Sequence, residues 1–257
     1  MSFQQQFFGF MAIIRKEVSR TFRIWPQSLL PPVITMSLYY LIFGRVIGAR
    51  IPSMQGFSYV QFISPGLIMM SVMVNSYSGS SFAFFSAKFS RAIEELLVSP
   101  MSCYSILLGY VCSSVCRGLL VGALVVCVSL LFTHLAVHHV FLLIYTLFIT
   151  SILFSLVGLV NGIMARSFDD VSWVPAFVIT PLTYLGGVFF SHAALPGIWQ
   201  QLALLDPLYY IIQSFRFAML GVGGAHAALA LSFVTMLVAG FFMLVIHLLG
   251  HSKSLRS

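Results

Sequence analysis

The chain has 257 residues, of which 60% are hydrophobic and 7% charged, with a mean hydropathy of +1.01. A soluble domain carries roughly 25% charged residues because its surface faces water, so this composition excludes one. The net charge of +7 would suit nucleic acid if the basic residues gathered on one surface, but they are dispersed at the ends of apolar runs, which excludes that partner.

A hydrocarbon core about 30 Å thick takes roughly 20 apolar residues per helical span, which allows about five to seven spans and leaves no separate soluble domain. Barrel strands alternate polar and apolar residues in segments of about ten, whereas this chain has long unbroken apolar runs. The expectation is an all-α polytopic membrane protein with six transmembrane helices in a single domain, 1–257.

Residues 1–10 hold no basic residue and no small-residue cleavage site, which argues against a removable signal peptide. Phe7, Met11, Ile14, Val18 and Phe22 then recur at spacings of three and four, with Lys16, Glu17, Arg20 and Arg23 on the other side of the wheel. The pattern predicts an amphipathic helix over 1–26 at the membrane surface, with Trp25 at headgroup depth and Pro26 marking the turn into the first span. An ordinary cytoplasmic helix would show the same pattern.

The uncharged stretch between Arg23 and Arg45 gives a first span near 27–43, with Pro31 and Pro32 in its opening turns. A second span near 57–82 is entered through Pro65 and Gly66. Residues 84–100 follow as a short amphipathic helix stopped by Pro100, with Phe85, Phe89, Ala92, Ile93, Leu96 and Leu97 on one face and Lys88, Arg91, Glu94 and Glu95 on the other. Pairing of Arg91 with Glu94 or Glu95 would support it by a few tenths of a kcal/mol. Such a helix serves either docking to a soluble partner or lying flat on lipid.

The third span is predicted near 103–132. Cys103, Cys112, Cys116 and Cys127 all fall in or beside it, where a disulfide framework makes no sense and small apolar packing does. Arg117 is the one charge well inside a span. At mid-bilayer it would cost about 2.5 to 3.5 kcal/mol, so it reads either as a pathway or dimer-interface residue or as a guanidinium snorkelling to the cytoplasmic headgroups. Gly118 and Gly122 follow at the spacing of close helix contacts, as candidates for the same pathway or dimer interface.

A turn at 133–139 carries His134, His138 and His139 without a carboxylate or thiol to complete a metal site, and none is predicted. The fourth span, near 140–164, has a small-residue stripe of Ser151, Ser155, Gly158 and Gly162. A fifth span near 171–190 precedes apolar pieces of about 10 to 14 residues, too short to cross and too apolar for water, which predict a re-entrant hairpin at 190–220 in the outer leaflet. Its breaks are expected at Pro196 and at Asp206–Pro207. Asp206 there is either half of an ion pair with Arg216 or simply part of the helix break. A sixth span is expected near 227–249.

Orientation follows from basic residues at span ends. With the amino terminus inside, the cytoplasmic flanks hold Arg15, Lys16, Arg20, Arg23, Lys88, Arg91, Arg166, Lys253 and Arg256, against Arg45, Arg50 and Arg216 outside. Both termini are therefore expected in the cytoplasm.

The order of these parts, with Gly186-Gly187-Val188-Phe189-Phe190, Leu195-Pro196, Trp199, Leu205-Asp206-Pro207-Leu208-Tyr209-Tyr210 and Phe215-Arg216 before the last span, and Arg91-x-x-Glu94-Glu95-Leu96-Leu97-x-x-Pro100 in the charged loop, resembles the type-2 permeases of ATP-binding cassette (ABC) exporters. The resemblance covers essentially the whole chain and is nearest to short bacterial permeases of the drug-resistance, nodulation-factor and Yad kind. It implies a permease homodimer in the bacterial cytoplasmic (inner) membrane, bound to two copies of a separate ABC ATP-binding subunit that holds ATP and Mg, and moving an amphipathic, lipid-, glycan- or drug-like cargo outward. It further implies that Phe89, Arg91, Glu94 and Glu95 make the ATPase coupling contacts. Gly186, Gly187, Pro196, Asp206, Pro207 and Arg216 would then belong to a hairpin closing the outer side.

No G-x-x-x-x-G-K-[ST] phosphate loop occurs in the sequence, so ATP hydrolysis by this chain itself is not expected, and no cofactor is assigned to it. An ion-coupled secondary transporter would need acids at membrane depth, yet Glu17, Glu94, Glu95, Asp169 and Asp170 fall on the cytoplasmic side and Asp206 at the outer rim. An intramembrane enzyme would need a Ser-His or metal-carboxylate constellation, which the pattern does not offer.

Overall fold

The computed structural model describes residues 3–48, 50–51, 53–98, 101–135, 137–222 and 227–251. Pro100, Lys253 and Arg256 lie outside the described residues, as does the side chain of Leu97. In chain order the helices are α1 (Phe3–Arg23), α2 (Trp25–Ser28), α3 (Leu30–Tyr39) with a π-helical extension Tyr40–Ile47, α4 (Tyr59–Phe89), α5 (Ala92–Val98), α6 (Cys103–Phe132), α7 (Val140–Met164), α8 (Phe168–Val174), α9 (Thr180–Leu185), α10 (Gly197–Leu205), α11 (Pro207–Leu220) and α12 (Ala227–His251). Among the described residues the strand-like pairing is confined to a bridge between Met54 and Phe57.

Three of these helices, Cys103–Phe132, Val140–Met164 and Ala227–Gly250, are long and apolar enough to cross a membrane by length and composition. The chain is thus an all-helical membrane protein. The segment predicted as a fifth span is one continuous run in which a π turn, Pro175–Ile179, joins α8 to α9. Proline lacks the N–H that an α-helical turn needs, and the register widens there; Thr180 Oγ1 donates to the Pro175 carbonyl across the turn at 2.8 Å.

The centre of the molecule is α4, buried over most of its 31 residues. It is rich in serine, and several of its polar side chains bond back to a carbonyl one turn earlier, as a buried helix allows. Ser64 donates to Val60 O at 2.7 Å, Ser71 to Ile68 O at 2.7 Å and Asn75 to Ser71 O at 2.9 Å. Small residues on the flanking helices let the backbones approach, as expected where lipid offers no hydrophobic drive to association. A Cβ at Gly122 of α6 would meet Val72 at 2.7 Å, one at Gly162 of α7 would meet the Ser81 carbonyl oxygen at 2.9 Å, and one at Gly158 would collide with the Tyr77 carbonyl oxygen.

Because a Cβ at Gly158 would meet the Tyr77 backbone as well as the Ser80 hydroxyl, Gly158→Val is expected to lower the thermal midpoint of the detergent-solubilised protein, at a cost of about 1–3 kcal/mol as typical of overpacking. Gly240→Val, at a site with nothing within 4 Å, is the control. Equal midpoints for the two variants would refute the packing assignment.

The first helix, α1, packs against α6. It runs lengthwise beside α6 in the same direction. Gln6 Oε1 accepts from Ser102 N and Ser105 Oγ, both at 2.9 Å. Gly109 faces Ile13, and Val18, Thr21 and Phe22 reach the level of Ser113 and Arg117. The buried positions of α1 are Ile13 and Glu17, while Phe7 and Phe22 of the predicted apolar stripe are about half exposed.

Candidate functional site

Two regions carry the side chains singled out from the sequence. The first is the junction of α4 and α5. The predicted single helix over 84–100 is instead two helices: α4 continues to Phe89, and Arg91 breaks the chain with a left-handed φ of 59° before α5 begins at Ala92. A non-glycine residue in that region is uncommon. The break removes the proposed i+3 and i+4 geometry, and Arg91 makes no ion pair with Glu94 or Glu95; among the described residues the ion pair is Arg20–Glu17.

What the break achieves is a fixed orientation for α5. Ile93 is buried in a cluster with Phe84, Ile106 and Ile163, so Glu94 and Glu95, one and two residues on, are turned outward, exposed with Arg91. Carboxylates in the first turn also suit the positive end of the helix dipole. Phe89 is 72% exposed yet held by ring contact with Phe168 at 5.4 Å, which itself packs edge-on against Phe85 at 4.8 Å. Phe89, Arg91, Glu94 and Glu95 are thereby brought together on one solvent-facing end.

Lys88, expected on the polar face with them, has another task. Its Nζ donates to the Ile163 and Ala165 carbonyls at 2.8 and 3.0 Å, satisfying the end of α7, where cations are favoured. Burial and then the Arg166 charge lower its pKa. Next to it, Asp170 closes a capping box with Ser167 at the start of α8. The Arg166 and Ser167 amides, at 2.8 and 3.0 Å from Oδ2, hold its carboxyl below the ordinary carboxylate range. The Lys88 contact has no signature in the sequence, since its partners are backbone groups, whereas Ser167-x-x-Asp170 has the spacing of a capping box.

The second region is the hairpin. Pro196 is the residue immediately preceding α10, and Asp206 caps α11 with Pro207 at its first position, where a missing N–H costs nothing. Asp206 Oδ1 accepts from Leu208 N at 2.9 Å. The alternative ion pair with Arg216 does not form. Arg216, 1% exposed, points instead at two carbonyls: Nη2 donates to Gly187 O at 2.7 Å and Nε to Phe62 O at 3.2 Å. Its guanidinium lies 4.0 Å from the centroid of the Phe62 ring, a cation–π contact.

Arg216 thus ties three elements together: α11, the opening of α4 and the Gly186–Gly187 turn. Gly187 takes φ +82°, which favours glycine, and Gly186 sits where a Cβ would approach Ile212 at 3.0 Å. Val188 then packs on Gly66, and Tyr59 donates to the Phe189 carbonyl at 3.0 Å. His138 and His139 of the preceding turn donate their backbone N–H groups to Ala218 O at 3.0 and 2.9 Å, fastening the α6–α7 connection to α11.

The remaining candidates separate. Gly118 and Gly122 face α4 of the same chain, against Ser76 and Val72. Arg117 turns the other way, into a cleft beside α1.

The model of the ABC-2 type transporter family matches residues 9–220. The chain is 49% identical over 246 residues to the inner membrane transport permease YadH of Escherichia coli K12, covering 96% of each chain. It is 25% identical over 237 residues to nodulation protein J of Sinorhizobium fredii, covering 90% of each, and 27% identical over 218 residues to that of Rhizobium leguminosarum bv. viciae, covering 82% of this chain and 83% of the relative. A family model spanning most of the sequence, together with a near-full-length relative at this identity, means that the chain belongs to the ABC-2 type transporter family.

Proposed function

We propose that the chain is the membrane-spanning subunit of an exporter driven by a separate ATP-binding cassette subunit. Permeases of this family work with such a subunit, and the absence of a phosphate loop in this sequence agrees with ATP and Mg being held by it. The observation that carries the reading is the α4–α5 junction: a rigidly anchored short helix presenting Phe89, Arg91, Glu94 and Glu95 to solvent. An anchored apolar residue ringed by charges is what a protein docking site requires.

In this reading α3 with its π extension, α4, α6, α7, the α8–α9 run and α12 are the six spans, with both termini and the α4–α5 junction cytoplasmic. The distribution of basic residues supports that orientation. Two copies of the permease pair around the pathway, the hairpin of α10 and α11 closes its outer side, and nucleotide-driven closure of the ATPases acts on the bundle through α5. The cargo is amphipathic, of lipid, glycan or drug type, as suits spans with so few charges.

Glu95→Cys, in a background with the four native cysteines replaced by alanine, is expected to react with a membrane-impermeant maleimide in inverted membrane vesicles and not in intact cells. Labelling from the cell exterior would sink the orientation and with it the coupling role.

A further inference from the structure

A cleft of about 210 Å³ lies between the last turns of α1 and the middle of α6, walled by Val18, Thr21 and Phe22 on one side and Ser113, Cys116 and Arg117 on the other. Among the described residues Arg117 has no ion-pair partner. Its Nε is buried without a hydrogen-bond partner. The nearest element, α1, offers Glu17, but Glu17 is already engaged by Arg20, whose Nη2 and Nε lie 2.7 and 2.9 Å from its Oε2. That pair is neutral, so the cleft keeps the positive charge of Arg117. The hydroxyls at its edge are committed too: Thr21 donates to Glu17 O at 3.1 Å and Ser113 to Tyr110 O at 2.9 Å. A desolvated guanidinium with unused donors is a site for an anion.

The setting identifies the kind of anion. Alongside the cleft the last turn of α1 carries Arg20 and Arg23, followed by the half-exposed Trp25, the combination of cation and indole that sits at headgroup depth. Arg117 is level with Val18 to Phe22, so the cleft opens at that same depth. Exposed Phe22 and Ile24 continue it as an apolar surface. The volume admits a phosphodiester but not acyl chains, which would lie along those two side chains.

We propose that this cleft binds the phosphate of an anionic phospholipid head group, held by the Arg117 guanidinium between α1 and α6. A planar fork of N–H donors matches two phosphate oxygens at once. Occupation would seal α1 to α6 and supply the charge partner that the protein itself withholds. The site needs only that the end of α1 lies at a bilayer interface, and so stands or falls separately from the docking role of α5.

The test uses the full chain reconstituted in nanodiscs of mixed phosphatidylglycerol and phosphatidylcholine, followed by native mass spectrometry of retained lipid. Wild type is expected to keep a phosphatidylglycerol molecule, and Arg117→Gln to keep about tenfold less or lower, the worth of charge-assisted hydrogen bonds to one group. Arg15→Gln, at an exposed position on α1, should match wild type. Should Arg117→Gln fail to fold, Thr21→Trp, which fills the cleft and leaves the charge, must show the same loss. Undiminished retention in Arg117→Gln or in Thr21→Trp would overturn the proposal, as would equal retention of phosphatidylcholine. Displacement of the lipid by inorganic phosphate would overturn it as well, marking a site for a free anion.

Discussion

Replacing Arg216 with lysine, and likewise with methionine, is expected to destabilise the permease. The guanidinium reaches Gly187 O and Phe62 O with different nitrogens, 2.7 and 3.2 Å away, and a single ammonium has no such fork. Lysine would therefore keep a buried charge while losing at least one of its bonds, and breaking a buried charge network costs about 3–5 kcal/mol. Methionine also leaves the two carbonyls without their donor, at about 1–3 kcal/mol each, but it removes the charge whose burial had to be compensated. Against a total stability of about 5–15 kcal/mol either loss is large, and both variants should be recovered in lower monodisperse yield and with a lower thermal midpoint than wild type. An Arg216→Lys protein that melts with wild type would show that the carbonyl contacts do not hold the hairpin.

That position also shows where reading the sequence stops. The helix breaks at Pro196 and Asp206–Pro207 are legible because proline and a capping carboxylate act locally, and the long apolar helices α6, α7 and α12 are legible from length alone. The partners of Arg216 are main-chain carbonyls, one of them 154 residues away, and a carbonyl has no signature in the sequence. An ion pair with Asp206 is the pairing that charges suggest, yet Asp206 spends its oxygen on the Leu208 amide.

The helical wheel of α1 does not announce its packing partner, for a related reason. In water the apolar stripe marks the buried side, but in lipid it marks the solvent side, and helices meet through small residues. Gly9, Ile13 and Glu17 face α6 and its neighbours, while Phe7 and Phe22 stay half exposed. Likewise, nothing in the residues 84–100 announces that Arg91 turns left-handed, since glycine or asparagine is the usual marker of such a turn. The pattern there does not carry the geometry that leaves Phe89, Arg91, Glu94 and Glu95 exposed at the break.

Reversing both Glu94 and Glu95 to lysine is expected to abolish copurification of the ATP-binding subunit while leaving membrane insertion and the folded bundle intact. The asymmetry follows from burial. Both side chains are exposed and Ile93 between them and α4 is not, so the substitutions leave the anchor of α5 untouched. Their cost within the permease is confined to the helix dipole, a few tenths of a kcal/mol to about 1 kcal/mol each at an exposed first turn. At a docking surface, by contrast, truncating one member of a desolvated charge pair costs 2–5 kcal/mol or more, roughly 30-fold in affinity at the least, and placing like charges together adds to it. Lys16→Glu, an equal change of charge at an exposed position on α1, should leave the complex unaffected, because only a local contact distinguishes the two. If the doubly reversed protein still brings down the ATPase at wild-type yield, the carboxylates of α5 do not touch it, and the route by which nucleotide closure reaches the membrane must lie elsewhere in the chain.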